Sequence, residues 1–177
     1  VFGKVTGSVT VKDVVVDVPA LKVAAIFHAS GDHADVVIEN VLTNAKSEYA
    51  LLGDINGEVE IKNVISMGGA ESFVGQTEAF KATTAYLDGV TYYNDNSDVS
   101  LESIASGEVA YIFNQKLATL ASNNDNFGDY YLVQNLTAGT KPSFGKPNAN
   151  QDNLVVYDST AKKYVNAIKN YYDDTVV

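Results

Sequence analysis

The sequence has 177 residues, of which 46% are hydrophobic, 19% charged and 10% aromatic, and its formal net charge is −10. This apolar content is enough for a folded core, and the acidic balance argues against nucleic acid or an anionic membrane surface as a partner. All 12 basic residues are Lys, and the absence of Arg, Cys and Trp excludes disulfides, thiolate metal sites and guanidinium clamps for anions.

A repeat opens the sequence. Residues 2–14, FGKVTGSVTVKDV, return at an offset of 50 as residues 52–64, LGDINGEVEIKNV. Two degenerate copies begin at Phe27 and Val74, which gives a period of about 25 residues. We expect the chain to be N-terminally truncated, with further coils before it, because Phe2 falls in the middle of a predicted coil. The first residues contain neither the basic region nor the apolar stretch of a signal peptide.

Alternating β-branched residues in each copy indicate strands with one buried face. Short strands at a period of about 25 residues, without a helical stripe, predict a mainly β fold: a short right-handed parallel β-solenoid, or β-helix, in residues 1–96. An antiparallel meander is the alternative, and it is disfavoured because no two-residue hairpin turn recurs at a regular place. The predicted core consists of Val9, Val11, Val36, Ile38, Val59 and Ile61.

A polar column accompanies the repeat at Asp13, Asn40, Asn63 and Gly89. Residues of these types tolerate bends with positive φ, and stacked Asn side chains can hydrogen-bond from one coil to the next. We therefore interpret the column as a structural ladder. The alternative is a row of metal or ligand contacts.

From residue 97 to 177 the pattern changes to a small α+β module. Residues 101–121 predict a helix, with Ser106 as N-cap and Glu108 in its first turn. Strands are predicted at 130–136 and 154–157, and residues 159–174 fit either a helix or a hairpin. The apolar face of the helix would contain Val109, Ile112, Phe113 and Leu117.

The repeat resembles the GLUG-type repeats of bacterial surface proteins, which run Gly-x-Val-x-Gly-x-Val-x-Asn. The segments SGEVAYIFNQ, YYLVQNL and LVVYDSTAKKYVN are similar to a terminal module that follows such repeats in large exported proteins of gut bacteria. The resemblance implies a secreted or cell-surface location, a structural or adhesive role, and no catalytic residues. Host or cell-surface glycans or proteins would be the partners. No apolar run approaches the ~18 residues of a spanning helix, so no membrane insertion is expected.

Two groups of residues contain side chains of the kinds that bind metal ions. His28, Asp32, His33 and Asp35 lie close together in sequence, but loop spacing does not make them converge as zinc ligands must. The runs 94–98 and 123–129 alternate oxygen ligands, but neither has the later bidentate acid of a calcium loop. We predict no metal and no cofactor, and calcium remains the alternative. The first group is interpreted as a solvated insertion between coils.

Many β-solenoids are polysaccharide-active enzymes, which makes such an activity a further alternative. The lyases use Arg or Lys and the hydrolases use paired carboxylates. The chain has no Arg, its repeat acids Asp54 and Asp88 are isolated, and no Gly-x-Ser-x-Gly elbow is present. We therefore predict no enzymatic activity and no catalytic residue.

Tyrosine doublets are the strongest candidates for ligand contact. Tyr92, Tyr93, Tyr130 and Tyr131 are adjacent pairs in predicted strands, where neighbours face opposite sides, so one ring of each pair is expected to be exposed. Exposed aromatic rings stack on sugars or form protein interfaces. A carbohydrate-binding module is therefore the alternative to a structural or adhesive segment.

Overall fold

The computed structural model describes residues 2–94, 97–99 and 101–167. The fold is mainly β, with 47% strand and 14% helix, and its strands stack as the coils of a β-solenoid. The chain divides into two compact units, Val1–Val99 and Ser100–Val177. The predicted mainly β solenoid fold is thereby confirmed.

The described part of the first unit contains four coils. They begin at Phe2 (coil 1), Phe27 (coil 2), Leu52 (coil 3) and Val74 (coil 4), and these four residues pair in parallel register from one coil to the next. The predicted repeat positions are therefore confirmed. The strands are β1 (Phe2–Val16), β2 (Phe27–Thr43), β3 (Leu52–Asp54), β4 (Glu58–Ser66), β5 (Ala79–Leu87), β6 (Thr91–Asn94) and β7 (Ser97–Val99).

Alternate residues of β2 and β4 form the interior of the stack. Val36 and Ile38 lie in register with Val59 and Ile61, and the exposed fraction of all four is 0–1%. Their counterparts Val9 and Val11 on β1 are only half-buried, although they pack against the same core. The difference arises because, among the described residues, β1 has a neighbouring strand on one side only.

The polar column is a row of bends. Asp13, Asn40 and Asn63 adopt left-handed backbone conformations, with φ of 58°, 54° and 50°. The fourth bend is Thr84, with φ of 53°, because β4 and β5 pair Lys62 with Thr83 and Val64 with Ala85.

The prediction of Gly89 as the fourth member of this column was wrong. Gly89 lies in the turn between β5 and β6, with φ of 74°. The interval from one bend to the next decreases from 27 to 23 to 21 residues, so the fourth bend comes five residues earlier than the apolar pattern suggested. Residues 85–90 imitate the repeat pattern out of register.

The direction of the chain reverses at the end of the stack. Whereas β1, β2, β4 and β5 pair in parallel, β6 pairs antiparallel with β5 and β7 pairs antiparallel with β6. Tyr92 faces Tyr86 across the first of these pairs, and both rings are fully buried. The edge of β5 along Ala85–Leu87 is therefore covered.

The second unit combines helices with short antiparallel strand pairs in its described part. Its elements are α1 (Leu101–Ser106), α2 (Glu108–Ala121), a 3-10 turn (Asp125–Phe127), β8 (Leu132–Val133), β9 (Ser143–Phe144), β10 (Val155–Asp158) and β11 (Lys163–Asn166). Strand β8 pairs with β9, and β10 pairs with β11. None of the helices in the described residues is long and apolar enough to cross a membrane.

The predicted continuous helix is divided at Gly107, whose φ is 95°. The prediction of Ser106 as N-cap was wrong, because Ser106 ends α1 and Gly107 occupies the cap position of α2. The Ser106 hydroxyl still accepts a hydrogen bond from the Glu108 N–H at 3.3 Å. Of the predicted apolar face, Val109, Phe113 and Leu117 are buried and Ile112 is half-buried.

The ambiguous C-terminal segment forms a hairpin over its described part. Val155 pairs with Asn166, and Asp158 pairs with Lys163. The side chain of Asp158 accepts hydrogen bonds from the N–H groups of Thr160 and Ala161, both at 2.9 Å, which fixes the turn. Residues 168–174 of the predicted segment lie outside the described residues.

Candidate functional site

The His/Asp group lies on β2. His28 and His33 are exposed, and the His33 Nε2 lies 3.2 Å from a carboxylate oxygen of Asp35. Residues 31–33 lie opposite the single residue Thr6 of β1, so β2 has two extra residues at this point. Among the described residues, no three His, Asp or Glu side chains are grouped so that they could hold a metal ion.

The run 123–129 forms a polar turn. The side chain of Asn124 accepts a hydrogen bond from the Asn126 N–H at 3.1 Å and so begins the 3-10 turn. Asp129 is paired with Lys146 at 3.8 Å. The other run, 94–98, lies partly outside the described residues, so its predicted alternative as a calcium loop stays a prediction.

Asp54 links two coils. Its carboxylate accepts a hydrogen bond from the backbone N–H of Gln76 in the next coil at 2.8 Å. Lys4 occupies the same repeat position two coils away, with Ala29 in register between it and Asp54. The acid therefore ties one coil to the backbone of the next along the stack.

The predicted tyrosine doublets have different surroundings. Tyr92 is fully buried, so its ring is not accessible to a ligand. Tyr93 is half-buried, and its ring centroid lies 6.3 Å from that of Phe73 and 5.8 Å from that of Phe80. This aromatic group packs against the solenoid core.

In the second doublet, the Tyr130 ring meets Phe144 edge-on at 5.5 Å, and Tyr131 is 40% exposed. Tyr131 therefore has the most accessible ring of the four predicted residues. Ligand stacking at these positions stays a prediction.

Three tyrosines that the sequence reading did not single out come together in the second unit. We call Tyr111, Tyr157 and Tyr164 the tyrosine cluster. Its ring centroids are 6.4 Å apart for Tyr111 and Tyr157, 5.5 Å for Tyr111 and Tyr164, and 5.2 Å for Tyr157 and Tyr164. Tyr157 nevertheless remains 45% exposed.

The cluster follows from the hairpin and the neighbouring helix. Tyr157 on β10 lies directly opposite Tyr164 on β11, so both side chains are on the same face of the hairpin. Helix α2 adds Tyr111 to that face. A sequence reading of single strands misses this arrangement, because the three residues belong to three different elements and only their pairing brings them together.

A cavity of about 510 Å³ adjoins the cluster and is lined by Tyr164, so we call it the Tyr164 cavity. The other lining residues are Asn135, Leu136, Thr137, Asp152, Val165, Asn166 and Ala167. Its wall is mixed, because the turn and the hairpin strand each contribute both apolar and polar residues. Such a mixture of an aromatic ring and a few polar groups is typical of small-molecule sites.

Hydrogen bonds fix the wall of the Tyr164 cavity. The Asn166 side chain accepts from the Leu136 N–H at 2.8 Å and donates to the Gln134 carbonyl at 2.6 Å. Gln134 is buried, and its side-chain amide donates to the carbonyls of Ile104 at 2.9 Å and Thr140 at 2.8 Å. The turn, the hairpin and α1 are therefore joined through the Asn166 and Gln134 amides.

Burial and the neighbouring groups shift ionisation of the Tyr164 phenol to higher pH. Burial, followed by the Glu108 carboxylate and the neighbouring Tyr157 and Tyr111, raises the pKa of Tyr164 above its ordinary value. The hydroxyl therefore remains protonated at physiological pH and is able to donate a hydrogen bond as well as accept one.

The stacked coils place the chain among the β-solenoid proteins, with about four turns. No known protein family, no curated protein and no solved structure matches it.

Proposed function

We propose that the chain is a non-enzymatic structural and adhesive segment of a bacterial cell-surface or secreted protein, in which the solenoid takes up a further coil along β1. The repeat's resemblance to GLUG-type surface repeats supports the location. The observation that carries the structural role is that β1, among the described strands, has a neighbour on one side only. Its support comes from two glycine positions and from the incomplete burial of coil 1.

The glycines of coil 3 are needed because the previous coil lies close to them. A Cβ on Gly53 would overlap the carbonyl oxygen of His28, and a Cβ on Gly57 would overlap that of Ala34. In both cases backbone is the obstacle, and it cannot move aside without breaking the register of the coils. The close approach of coils 2 and 3 therefore requires glycine at these two positions, whereas coil 2 stacks on coil 1 with His28 and Ala34 there.

Coil 1 has glycine at the same two repeat positions without a comparable neighbour. A Cβ added to Gly3 or to Gly7 would have no described atom within 4 Å. We call the side of β1 that faces away from β2 the β1 edge. Gly3 and Gly7 leave this edge open to the close approach seen at Gly53 and Gly57, although the φ of 71° at Gly7 favours glycine by itself.

The apolar residues of coil 1 support the same conclusion. Phe2 is 55% exposed, whereas Phe27 and Leu52 at the same position in coils 2 and 3 are buried. Val9 and Val11 are half-buried at the end of the core. A further coil would bury these side chains, and burial of apolar surface is the main favourable term in repeat stacking.

The non-enzymatic assignment is supported by the engagement of the repeat acid Asp54 in coil-to-coil hydrogen bonding. The alternative, a carbohydrate-binding module, is favoured by a different observation, the tyrosine cluster beside the Tyr164 cavity. The two functions are compatible, because the solenoid would supply the scaffold and the second unit the contact with a ligand.

Adding a coil tests the proposal. Residues 27–51 are duplicated directly before Phe2, which reproduces at the β1 edge the junction between coils 2 and 3. We expect the amides of β1 to exchange hydrogen more slowly and the melting temperature to rise, because the added coil covers Val9 and Val11.

The matched control has the same inserted length with Ser in place of the two inserted copies of Val36 and Ile38. This insert should slow hydrogen exchange of the β1 amides much less, since it cannot continue the apolar interior. If the intact insert leaves the exchange of the β1 amides unchanged, β1 does not accept a further coil and the proposed scaffold role is wrong.

A further inference from the structure

We propose that the tyrosine cluster and the adjoining Tyr164 cavity form a binding site for a neutral oligosaccharide. The inference deepens the adhesive part of the proposed function and rests on it. The stacking of coils at the β1 edge is independent of this site.

The aromatic surface is the first element of the site. Tyr157 contacts two other rings and is still 45% exposed, so part of this aromatic side chain is accessible to a ligand. The C–H face of a pyranose ring is apolar and packs on such a surface, while its hydroxyl groups remain available at the edge. Tyr164 belongs to both the cluster and the cavity, which makes the two parts continuous.

Polar groups with unused hydrogen-bonding capacity form the second element. The Asn135 side-chain oxygen accepts from the Ala138 N–H at 2.9 Å, which leaves its amide N–H groups to donate. One Asp152 carboxylate oxygen accepts from the side chain of Asn148. The second carboxylate oxygen and the Thr137 hydroxyl have no hydrogen-bond partner among the described residues. Donors and acceptors are thus close together, as adjacent sugar hydroxyls require.

Charge selects the class of sugar. Asp152 is the charged residue in the lining of the Tyr164 cavity, and Glu108 lies near enough to Tyr164 to raise its pKa. The whole chain has a formal net charge of −10. A carboxylated or sulfated sugar would be repelled, so a neutral chain is the ligand that the site favours.

The wall of the site is held before any ligand arrives. The hairpin, the turn and α1 are linked through hydrogen bonds of Asn166 and Gln134, so binding would not have to order a loop. A preorganised wall reduces the entropy lost on binding.

Titration of the full chain with soluble sugars tests the inference. The probes are neutral hexasaccharides of glucose, mannose, xylose and galactose, with hexagalacturonate as the anionic comparison. Calorimetry measures the affinity. Tyrosine fluorescence gives a second readout, since the chain has 11 Tyr and no Trp. We expect at least one neutral chain to bind and hexagalacturonate to bind more weakly.

Three variants locate the site. Tyr157→Ala should weaken binding about tenfold or more through loss of the stacking surface, while Tyr157→Phe should retain binding. Asp152→Asn should weaken binding of the neutral chain severalfold, because the proposed site uses the carboxylate as an acceptor for sugar hydroxyls. Tyr131→Ala, at the doublet that the sequence also predicts for ligand stacking, distinguishes the two candidate positions. The control is Val90→Ala, which removes an exposed apolar side chain of the solenoid unit and should leave the affinity unchanged.

Several results would overturn the inference. They are the absence of binding to all four neutral hexasaccharides at millimolar concentration, tighter binding of hexagalacturonate, and unchanged affinity of Tyr157→Ala. Loss of binding in Tyr131→Ala alone would place the site at the predicted Tyr130–Tyr131 doublet instead. Circular dichroism establishes that each variant is folded. None of these results bears on hydrogen exchange at β1, so failure of this inference and failure of the scaffold role can be distinguished.

Discussion

Single residues in the coils act through the backbone of the neighbouring coil. Gly53 is glycine because the carbonyl of His28 occupies the place of a Cβ. Asn40 is suited to its bend because Asn tolerates a positive φ at little cost and its side chain has both a donor and an acceptor. In both cases the residue type follows from what lies one coil away.

Alanine substitution of the equivalent glycines Gly53 and Gly3 measures the effect of the neighbouring coil on stability. Gly53→Ala should lower the free energy of unfolding by about 2 kcal/mol or more, because backbone must move to accommodate the methyl group. Gly3→Ala should change it by less than about 0.5 kcal/mol, since no described atom lies near the added Cβ. Urea denaturation measures both. Equal losses would mean that the close approach at Gly53 has no energetic effect.

The buried phenol of Tyr86 makes stability depend on pH in the alkaline range. Burial raises the pKa of Tyr86 well above its ordinary value of 10. In the unfolded chain the phenol ionises near pH 10, whereas the folded chain keeps it neutral, so rising pH favours unfolding. The free energy of unfolding should therefore fall above pH 10, by up to about 1.4 kcal/mol per pH unit from this residue.

Tyr86→Phe provides the control for that pH dependence. Below pH 10 the variant should be less stable by about 1–2 kcal/mol, because the Gly89 N–H loses the phenol oxygen, its acceptor at 2.8 Å. Above pH 10 the curves of free energy against pH should converge, since Phe does not ionise. Parallel curves across pH 8 to 11 would show that Tyr86 does not contribute.

At the scale of elements, the bends act as one ladder. The Asn40 amide donates to the Asp13 carboxylate at 2.8 Å, and the Asn63 amide donates to the Asn40 side-chain oxygen at 3.0 Å. Each bend is thus bonded to the next, and the turning points of β1, β2 and β4 are held in line. Thr84 continues the row of bends with the same backbone conformation.

Two substitutions at Asn40 separate the stability contributed by the ladder hydrogen bonds from the strain of the left-handed backbone conformation. Asn40→Ala should cost about 2–3 kcal/mol, because two side-chain hydrogen bonds are lost and Ala is strained at φ of 54°. Asn40→Gly loses the same bonds without strain and should cost about 1 kcal/mol less. Thermal or urea unfolding gives both values. If Gly were as harmful as Ala, the strain term would be absent.

Prediction from the sequence succeeded where the same chemistry recurs at a fixed spacing. The repeat starting positions and the bends at Asp13, Asn40 and Asn63 are local patterns, and each copy supports the others. The fourth bend was misplaced because the interval between bends falls to 21 residues there, while residues 85–90 imitate the repeat pattern out of register. The tyrosine cluster was missed for a different reason. Its rings meet only through strand pairing and helix packing, which depend on contacts distant in sequence.

At the scale of the solenoid unit, burial increases from coil 1 into the stack. Val9, Val36 and Val59 occupy one register column, but Val9 is half-buried while the other two are 1% exposed. In a repeat protein each coil is stabilised mainly by its immediate neighbours, so a coil with a neighbour on one side only contributes less.

Val→Ala substitutions at positions 9 and 59 measure how the stabilisation from burial changes along the stack. Val59→Ala should lower the free energy of unfolding by about 2–3 kcal/mol, through lost apolar burial and the cavity left behind. Val9→Ala should cost about 1 kcal/mol, because part of its side chain is already in water. In the variant with the duplicated coil, the cost of Val9→Ala should approach that of Val59→Ala. A constant low cost would show that the added coil does not stack.

The reversal of the chain at β6 determines where the length of the molecule can vary. The edge of β5 along Ala85–Leu87 is occupied by an antiparallel strand, so a parallel coil cannot be attached there. On the proposed function, coils are gained at the β1 edge or between existing coils, and each would add about 4.8 Å to the distance between that edge and β6. The antiparallel β5–β6 pair is thus a fixed end from which the length of the stack is counted. Relatives with more or fewer repeats are expected to retain the β5–β6 junction and to differ in the length of the stack.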